Sequence, residues 1–257
     1  MKKTLIALAV AASAAVSGSA MAWEQNGTGG SVSLSGTVDV LQPTTPWEVQ
    51  VGGNVNDLNT QISSGATDAV ISVQRVIPIL GIRTVSNKPF HGQTGISPQI
   101  NFGNAINTDS FSNGSTPLTL EVKDNSDAQI GTLTASFTAG AEASASNGAV
   151  SSKFNIFAAK AGQAFYGGVA KSGDKITQKG WHIANRFGPE YVENYNDQKG
   201  TLVDSGSTQY FNESGFTYSA VYGAGILDNT QIVIKLNKPA TSAITWKASL
   251  PIEVTYL

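Results

Sequence analysis

The sequence predicts an all-β fold, a β-sandwich with a small, partly helical insertion between about Gly140 and Ser207. Three observations predict it. Ile244, Trp246, Ala248, Leu250, Ile252, Val254 and Tyr256 are apolar, while Thr245, Lys247, Ser249, Pro251, Glu253 and Thr255 between them are not core residues. Side chains along a strand point to opposite faces in turn, so this period of two describes a strand with one buried and one wet face. Turn signals recur between such runs, at Gly52-Gly53, Asn113-Gly114, Asp124-Asn125, Asn147-Gly148 and Asp228-Asn229. Charged residues make up only 13% of the chain. That is about half the usual ~25%, and with heavy use of Gly, Ser, Thr and Asn it suits strands and tight turns.

In chain order, the first element is a targeting segment. Lys2 and Lys3 give a positive start, residues 4–16 form an apolar run too short to span a bilayer, and Ala20-Met21-Ala22 supplies small-residue cleavage chemistry. An anchor helix is the other reading, but no stop-transfer flank follows. Residues 1–22 are read as a signal peptide and Trp23 as the first mature residue. Residues 23–36 form a glycine-rich N-terminal extension and 37–257 the sandwich domain. Val32, Leu34, Val38 and Val40 share one face, notched by Gly36. This segment is either the first strand of the domain or a strand kept for another molecule, because both share the same alternation.

Further strands are expected at 47–51, 69–77, 98–102, 117–122, 129–137, 217–226 and 231–236, besides the terminal one. The middle changes period. Phe154, Phe157, Ala158, Ala161 and Phe165 fall at helical spacing and predict a helix over 154–165. A second helix is expected over 181–187, stopped by Gly188-Pro189. Pro251 occupies an outward position of the last strand and has no N–H to give a ladder, which confines that strand to a sheet edge or bulge.

Catalytic chemistry is absent from the sequence patterns. The chain has no cysteine, which excludes thiolate catalysis, iron–sulfur sites and cysteine zinc sites, and leaves stability to packing or assembly. His91 and His182 stand apart in no metal-ligand spacing. Neither a G-x-S-x-G elbow nor a P-loop occurs. Gly223-Ala224-Gly225 lacks the third glycine and the strand–helix setting of a dinucleotide loop, and reads as a bulge or a tight packing point. Asp124 and Asp127 read as a hairpin turn and not as a calcium pair. No enzyme, cofactor or metal is expected, and the net charge of −2 gives no attraction to nucleic acid.

The start Met-Lys-Lys-Thr-Leu-Ile-Ala-Leu-Ala-Val, Trp23 and the strand Gly30-Ser-Val-Ser-Leu-Ser-Gly36 resemble subunits of chaperone–usher fimbriae. The kappa class, the K-eighty-eight antigen family, is the nearest resemblance. Further matches are Trp47-Glu-Val-Gln-Val-Gly52, Pro78-Ile-Leu-Gly-Ile-Arg83, Gly95-Ile-Ser-Pro-Gln-Ile-Asn-Phe102 and Ala164-Phe-Tyr-Gly-Gly168. The C-terminal Ile244-Thr-Trp-Lys-Ala-Ser-Leu-Pro-Ile-Glu-Val-Thr-Tyr-Leu257 also matches, with its tyrosine next to the end. Residues 142–152 and 188–214 match no family segment.

The resemblance implies an incomplete immunoglobulin-like sandwich completed by a donor strand. A periplasmic chaperone lends that strand first, and the extension of a neighbouring fimbrial subunit replaces it at an outer-membrane usher. Val32, Leu34, Gly36 and Val38 are then the donor residues. Leu250, Ile252, Val254 and Tyr256 form the groove-edge strand that the chaperone contacts. The implied location is an extracellular fimbrium on the cell surface, reached through the periplasm, and the implied role is structural and adhesive. Candidate contacts to a host glycoconjugate are Tyr191, Tyr195 and Arg186 in the insertion, with Phe165 and Trp181 read chiefly as packing residues. A minor or tip-associated subunit without receptor binding and a free-standing β-sandwich lectin are the alternatives.

Overall fold

A computed structural model of the protein describes residues 34–37 and 44–257. The expected signal peptide, most of the extension and most of the strand expected over 32–40 lie outside the described residues. Residues 34–37 are exposed and belong to no strand. Gln42–Leu257 form one unit, and the description that follows concerns it alone. The elements are β1 (Trp47–Val51), β2 (Asp68–Ser72), β3 (Ile77–Thr84), β4 (Phe90–His91), β5 (Pro98–Asn101), β6 (Ser115–Lys123), β7 (Gln129–Ser146) and β8 (Ser151–Ile156). Then come α1 (Gly180–Phe187), α2 (Pro189–Val192), β9 (Thr201–Ser207), β10 (Thr217–Ile226), β11 (Gln231–Leu236) and β12 (Glu253–Tyr256).

The architecture is an all-β sandwich with a small helical insertion, and β7 is its hinge. Its first half pairs with β6 and β11, and its second half pairs with β10 and β8. The path β1-β3-β10-β7-β11-β2 therefore turns through one long strand from one layer into the other. β9 adds to β8 in parallel, and β12 pairs with β5 as a separate ribbon. Leu80, Ile82, Tyr222 and Ala224 of one layer meet Leu118, Val122, Leu133, Phe137 and Ile232 of the other in a single core. Trp47 closes one end: its indole N–H donates to the Ile96 carbonyl at 2.6 Å, and its ring meets Phe90 edge-on at 5.1 Å.

Strands with one wet face follow the alternation. β2, β6 and β11 bury every second residue for most of their length. The centre of the other layer does not: β10 is buried at every position after Thr217, and β7 is mostly buried from Thr138 to Ala145. The reason is a second layer outside the sheet. Gly81, Gly223 and Gly140 are direct cross-strand neighbours on β3, β10 and β7, and they form a flat row. A Cβ at Gly81 would lie 2.6 Å from the Tyr191 ring, one at Gly223 2.5 Å from Ala184 Cα, and one at Gly140 2.7 Å from the Gly180 carbonyl oxygen. The helices α1 and α2 thus lie on bare backbone. The reading of Gly223 and Gly225 as a packing point and bulge holds on both counts, since the β10–β3 register also shifts between Ala224 and Gly225, opposite Pro78.

Three expectations need correction. The helix over 154–165 is instead strand β8 followed by turns. Phe165 has φ of 60° and Gly162 has φ of 87°, both outside the α-helical region, and the buried Phe154 and Ile156 alternate as strand neighbours of β7 and β9. The strand expected over 69–77 ends at Ser72, and β3 begins a separate strand at Ile77 that sequence alternation missed because both its faces are covered. The terminal strand forms a ladder only over Glu253–Tyr256, with a single isolated bridge upstream at Lys247. The second helix stands nearly as expected, with the Gly188 N–H closing it onto the Ala184 carbonyl at 3.2 Å before Pro189. Replacing Gly223 by Val forces Ala184 off the sheet. The expected outcome is a loss of about 1–3 kcal/mol or more in urea unfolding, whereas Gly215→Ala, with open space around its Cβ, stays within about 0.5 kcal/mol.

Candidate functional site

The C-terminal segment keeps its alternation although only its last residues, Glu253–Tyr256, form a ladder. Trp246, Ala248, Leu250, Ile252, Val254 and Tyr256 are half-buried and pack on the main core, while the odd positions between them are exposed. Ile244 departs from the pattern at 42% exposure. Val254 and Tyr256 sit in β12 opposite Ile100 and Pro98. Upstream, Lys247 is the one residue from 241 to 252 whose backbone bonds to other backbone among the described residues; it exchanges two 2.9 Å bonds with Lys123 of β6. Pro251 cannot donate at all, and its ring rests against Gly103, 3.2 Å from where a Cβ would stand.

Between this segment and the core lies a groove of about 1150 Å³. Its floor is the margin of the sandwich core: the buried Ile79, Leu118, Leu133, Ile234 and Leu236 with the half-buried Leu120. One wall is the terminal segment, with Trp246, Ala248, Leu250 and Ile252. The other is the irregular stretch after β1, residues 52–64, whose Leu58 and Ile62 are half-buried against the same core. That wall is held to β2 by the Thr60 hydroxyl, which donates to the Val70 carbonyl at 2.8 Å, and to the link between β2 and β3 by the Arg75–Asp57 pair at 2.7 Å. Two largely unladdered chains thus run along an apolar floor. Such a slot offers side-chain burial below and unpaired backbone at its sides, which is what an extended peptide needs to bind by strand addition.

Sequence reasoning found one wall and missed the other. The only signal for the second wall was an isolated pair of apolar residues, Leu58 and Ile62, within an Asn/Thr/Ser-rich loop. Of the expected donor residues, Val32 and Val38 lie outside the described residues, and Leu34 and Gly36 are exposed. Leu250, Ile252, Val254 and Tyr256 lie on one face of the terminal segment, but only Leu250 and Ile252 line the groove, while Val254 and Tyr256 sit in β12 beside β5.

The aromatic candidates in the insertion are arranged differently from the expectation of exposure. Tyr191 is buried at 3% exposure, with its ring flat on Gly81, and the Tyr195 hydroxyl is buried between the helical layer and β7. Both belong to the inner face of that layer. Arg186 is exposed and pairs with Asp228. Phe165 is fully buried and stacks on Tyr222 at 5.3 Å, a packing role. Trp181 is half-buried against the small core of the helical layer, edge-on to exposed His182 at 5.2 Å. Asp124 accepts from the Ser126 amide and hydroxyl and from the Ala128 amide, which holds its carboxyl below the usual range and closes the hairpin before β7.

The full chain, residues 1–257, matches the family described as "Fimbrial, major and minor subunit". K88 fimbrial protein AB of Escherichia coli is 31% identical over the whole of both chains. K88 fimbrial protein AC of Escherichia coli is 29% identical, again over the full length of each.

A charge placed on the groove face separates the two faces of the terminal segment. Ile252→Asp is expected to cost at least about 2 kcal/mol, from lost burial and a desolvated carboxylate, while Thr255→Asp on the wet face stays within about 0.5 kcal/mol, both read from urea unfolding.

Proposed function

Because the chain belongs to the family of major and minor fimbrial subunits, we propose that it polymerises by strand donation, the extension of one copy filling the groove of the next. The protein is a structural subunit of an extracellular fimbrium that associates with other fimbrial subunits. The observation that carries the finer reading is the groove, with an apolar floor and scarcely paired backbone along the terminal segment. Val32, Leu34 and Val38 are the donor residues, and Gly36 sits where the groove and donor backbones approach. Burying three large side chains contributes roughly 1.5–3 kcal/mol each, so about 5–9 kcal/mol as an upper bound, with ladder hydrogen bonds added. Before assembly the same groove exposes apolar surface and strand edges, a reason for a periplasmic chaperone that occupies it and for hand-over at an outer-membrane usher. Deleting residues 23–36 is expected to leave a subunit that folds and binds chaperone but joins no preceding copy. Fibres from the truncated protein that resist cold detergent would overturn the proposal.

The adhesive part of the proposal falls on the insertion. Strands are committed to the core and to neighbouring copies, whereas the outer face of the α1–α2 layer varies without unfolding the sandwich. Exposed His182 and Arg186 on that face replace the inward Tyr191 and Tyr195 as the residues to change. Wild-type fibres are expected to bind a host glycoconjugate on a glycan array, and His182→Ala with Arg186→Ala to lose that binding at unchanged stability. Binding that survives both changes places the contact elsewhere, and no binding by wild-type fibres indicates a purely structural subunit.

A further inference from the structure

Two consecutive residues hold both the entry of the chain into the sandwich and the end of the terminal segment. The chain enters at Pro46 and Trp47. The Pro46 carbonyl accepts from the Val85 N–H at 2.9 Å, and the buried Trp47 donates its indole N–H to the Ile96 carbonyl at 2.6 Å. Phe90 and Phe211 flank the indole ring at 5.1 and 5.2 Å. The next residue, Ser97, exchanges two backbone bonds of 3.0 and 3.1 Å with Leu257, which carry the β5–β12 ladder to residue 257. Ile96 and Ser97 are themselves buried, and the Ser97 hydroxyl donates to the Tyr210 carbonyl. Both groove walls start from this point. One, residues 52–64, follows directly on β1, which Trp47 opens; the other, residues 241–252, leads directly into β12.

We propose that Ile96 and Ser97 form a clasp that couples the terminal groove wall to the root of the extension, so that seating of residues 241–257 tightens the hold on Trp47 and their release loosens it. The wall is able to release because, among the described residues, it bonds to other backbone at only two places, Lys247 and residues 253–257. Release at the second place strips Ser97 of both its backbone partners. A buried N–H and carbonyl left unpaired are costly. The relief is movement of Ile96–Ser97 toward water, and that movement carries the Ile96 carbonyl away from the indole. The coupling is reciprocal: whatever binds only the seated wall also steadies Trp47, and a firmly held Trp47 favours the seated wall by the same free energy. A strand filling the groove is such a ligand. That last step rests on the strand donation proposed above, whereas the clasp itself does not. Together they give assembly a direction, because a subunit with a filled groove presents its own extension from a firmer root.

The test is hydrogen exchange of the Trp47 indole N–H in the isolated subunit, read by NMR, with the backbone amides of β11 as reference. Leu257→Pro removes the N–H that bonds the Ser97 carbonyl, at a side chain 58% exposed. Indole exchange is expected to quicken roughly fivefold or more, the scale of one lost hydrogen bond at a buried carbonyl. Leu257→Ala keeps the N–H and is expected to leave the indole at its wild-type rate, and β11 stays level in both variants. In the reverse direction, Trp47→Phe keeps an aromatic ring but loses the donor, and the Ser97 and Leu257 amides are expected to quicken by a similar factor. An indole rate unmoved by Leu257→Pro, β11 rates that rise in step with it, or Ser97 and Leu257 amides unmoved by Trp47→Phe would each overturn the clasp. A peptide of residues 23–40 adds the assembly arm: it is expected to protect 241–252 and to slow indole exchange in wild type but not in Leu257→Pro. Protection of 241–252 with the wild-type indole rate unchanged also overturns the clasp. A peptide that protects nothing counts against strand donation, and the clasp then stands or falls on the two substitutions.

Discussion

An apolar core bordered by a groove whose walls are two largely unladdered chains is the constraint on which the rest of this structure depends. The floor of that slot is made by residues that alternation commits to the inside, Leu118 and Leu120 on β6 and Ile234 and Leu236 on β11. Nothing in the local sequence closes it, because Pro251 and the irregular run of 241–246 prevent the terminal segment from folding down as a full ladder partner of β6. The segment is instead pinned at Lys247 and again at β12, with its apolar face turned to the core between those points. The unladdered wall is thus built from two ordinary facts, a proline without an N–H and a strand whose partner is not the adjacent segment.

The opposite side of the protein solves the reverse problem. There β3, β10 and the second half of β7 are so poor in side chains that their outer face has little to bury by itself. The glycine row at Gly81, Gly223 and Gly140 lets α1 and α2 approach the backbone, and Ala184, Phe187, Tyr191 and Val192 then form a second small core with Val221. This cover leaves the groove side untouched, which separates the surface proposed for assembly from the surface proposed for adhesion. The two carry different chemistry: apolar contact and strand pairing on one, and exposed His182 and Arg186 on the other.

Legibility in the sequence follows from which faces are wet. β1, β10 and β11 match their expected bounds, and the terminal alternation predicts which side chains face the core even where no ladder forms. The helix over 154–165 failed because residues buried on both sides of β8 mimic a helical period, and left-handed backbone at Phe165 has no signature in an aromatic residue. Tyr191 and Tyr195 were placed outside because a short amphipathic helix does not reveal which face meets a sheet. The glycines opposite them hold that information, and it emerges only once β3, β7 and β10 are paired. The second wall of the groove was invisible for a similar reason: Leu58 and Ile62 gain meaning from the floor they approach, which comes from strands far away in sequence.

The most direct measurement of the central claim is amide exchange along residues 241–252, compared between isolated subunits and assembled fibres. If the groove is closed by a strand from a neighbouring copy, these amides exchange rapidly in the isolated subunit and become strongly protected in the fibre. Equal exchange in both states, fast or slow, would contradict it.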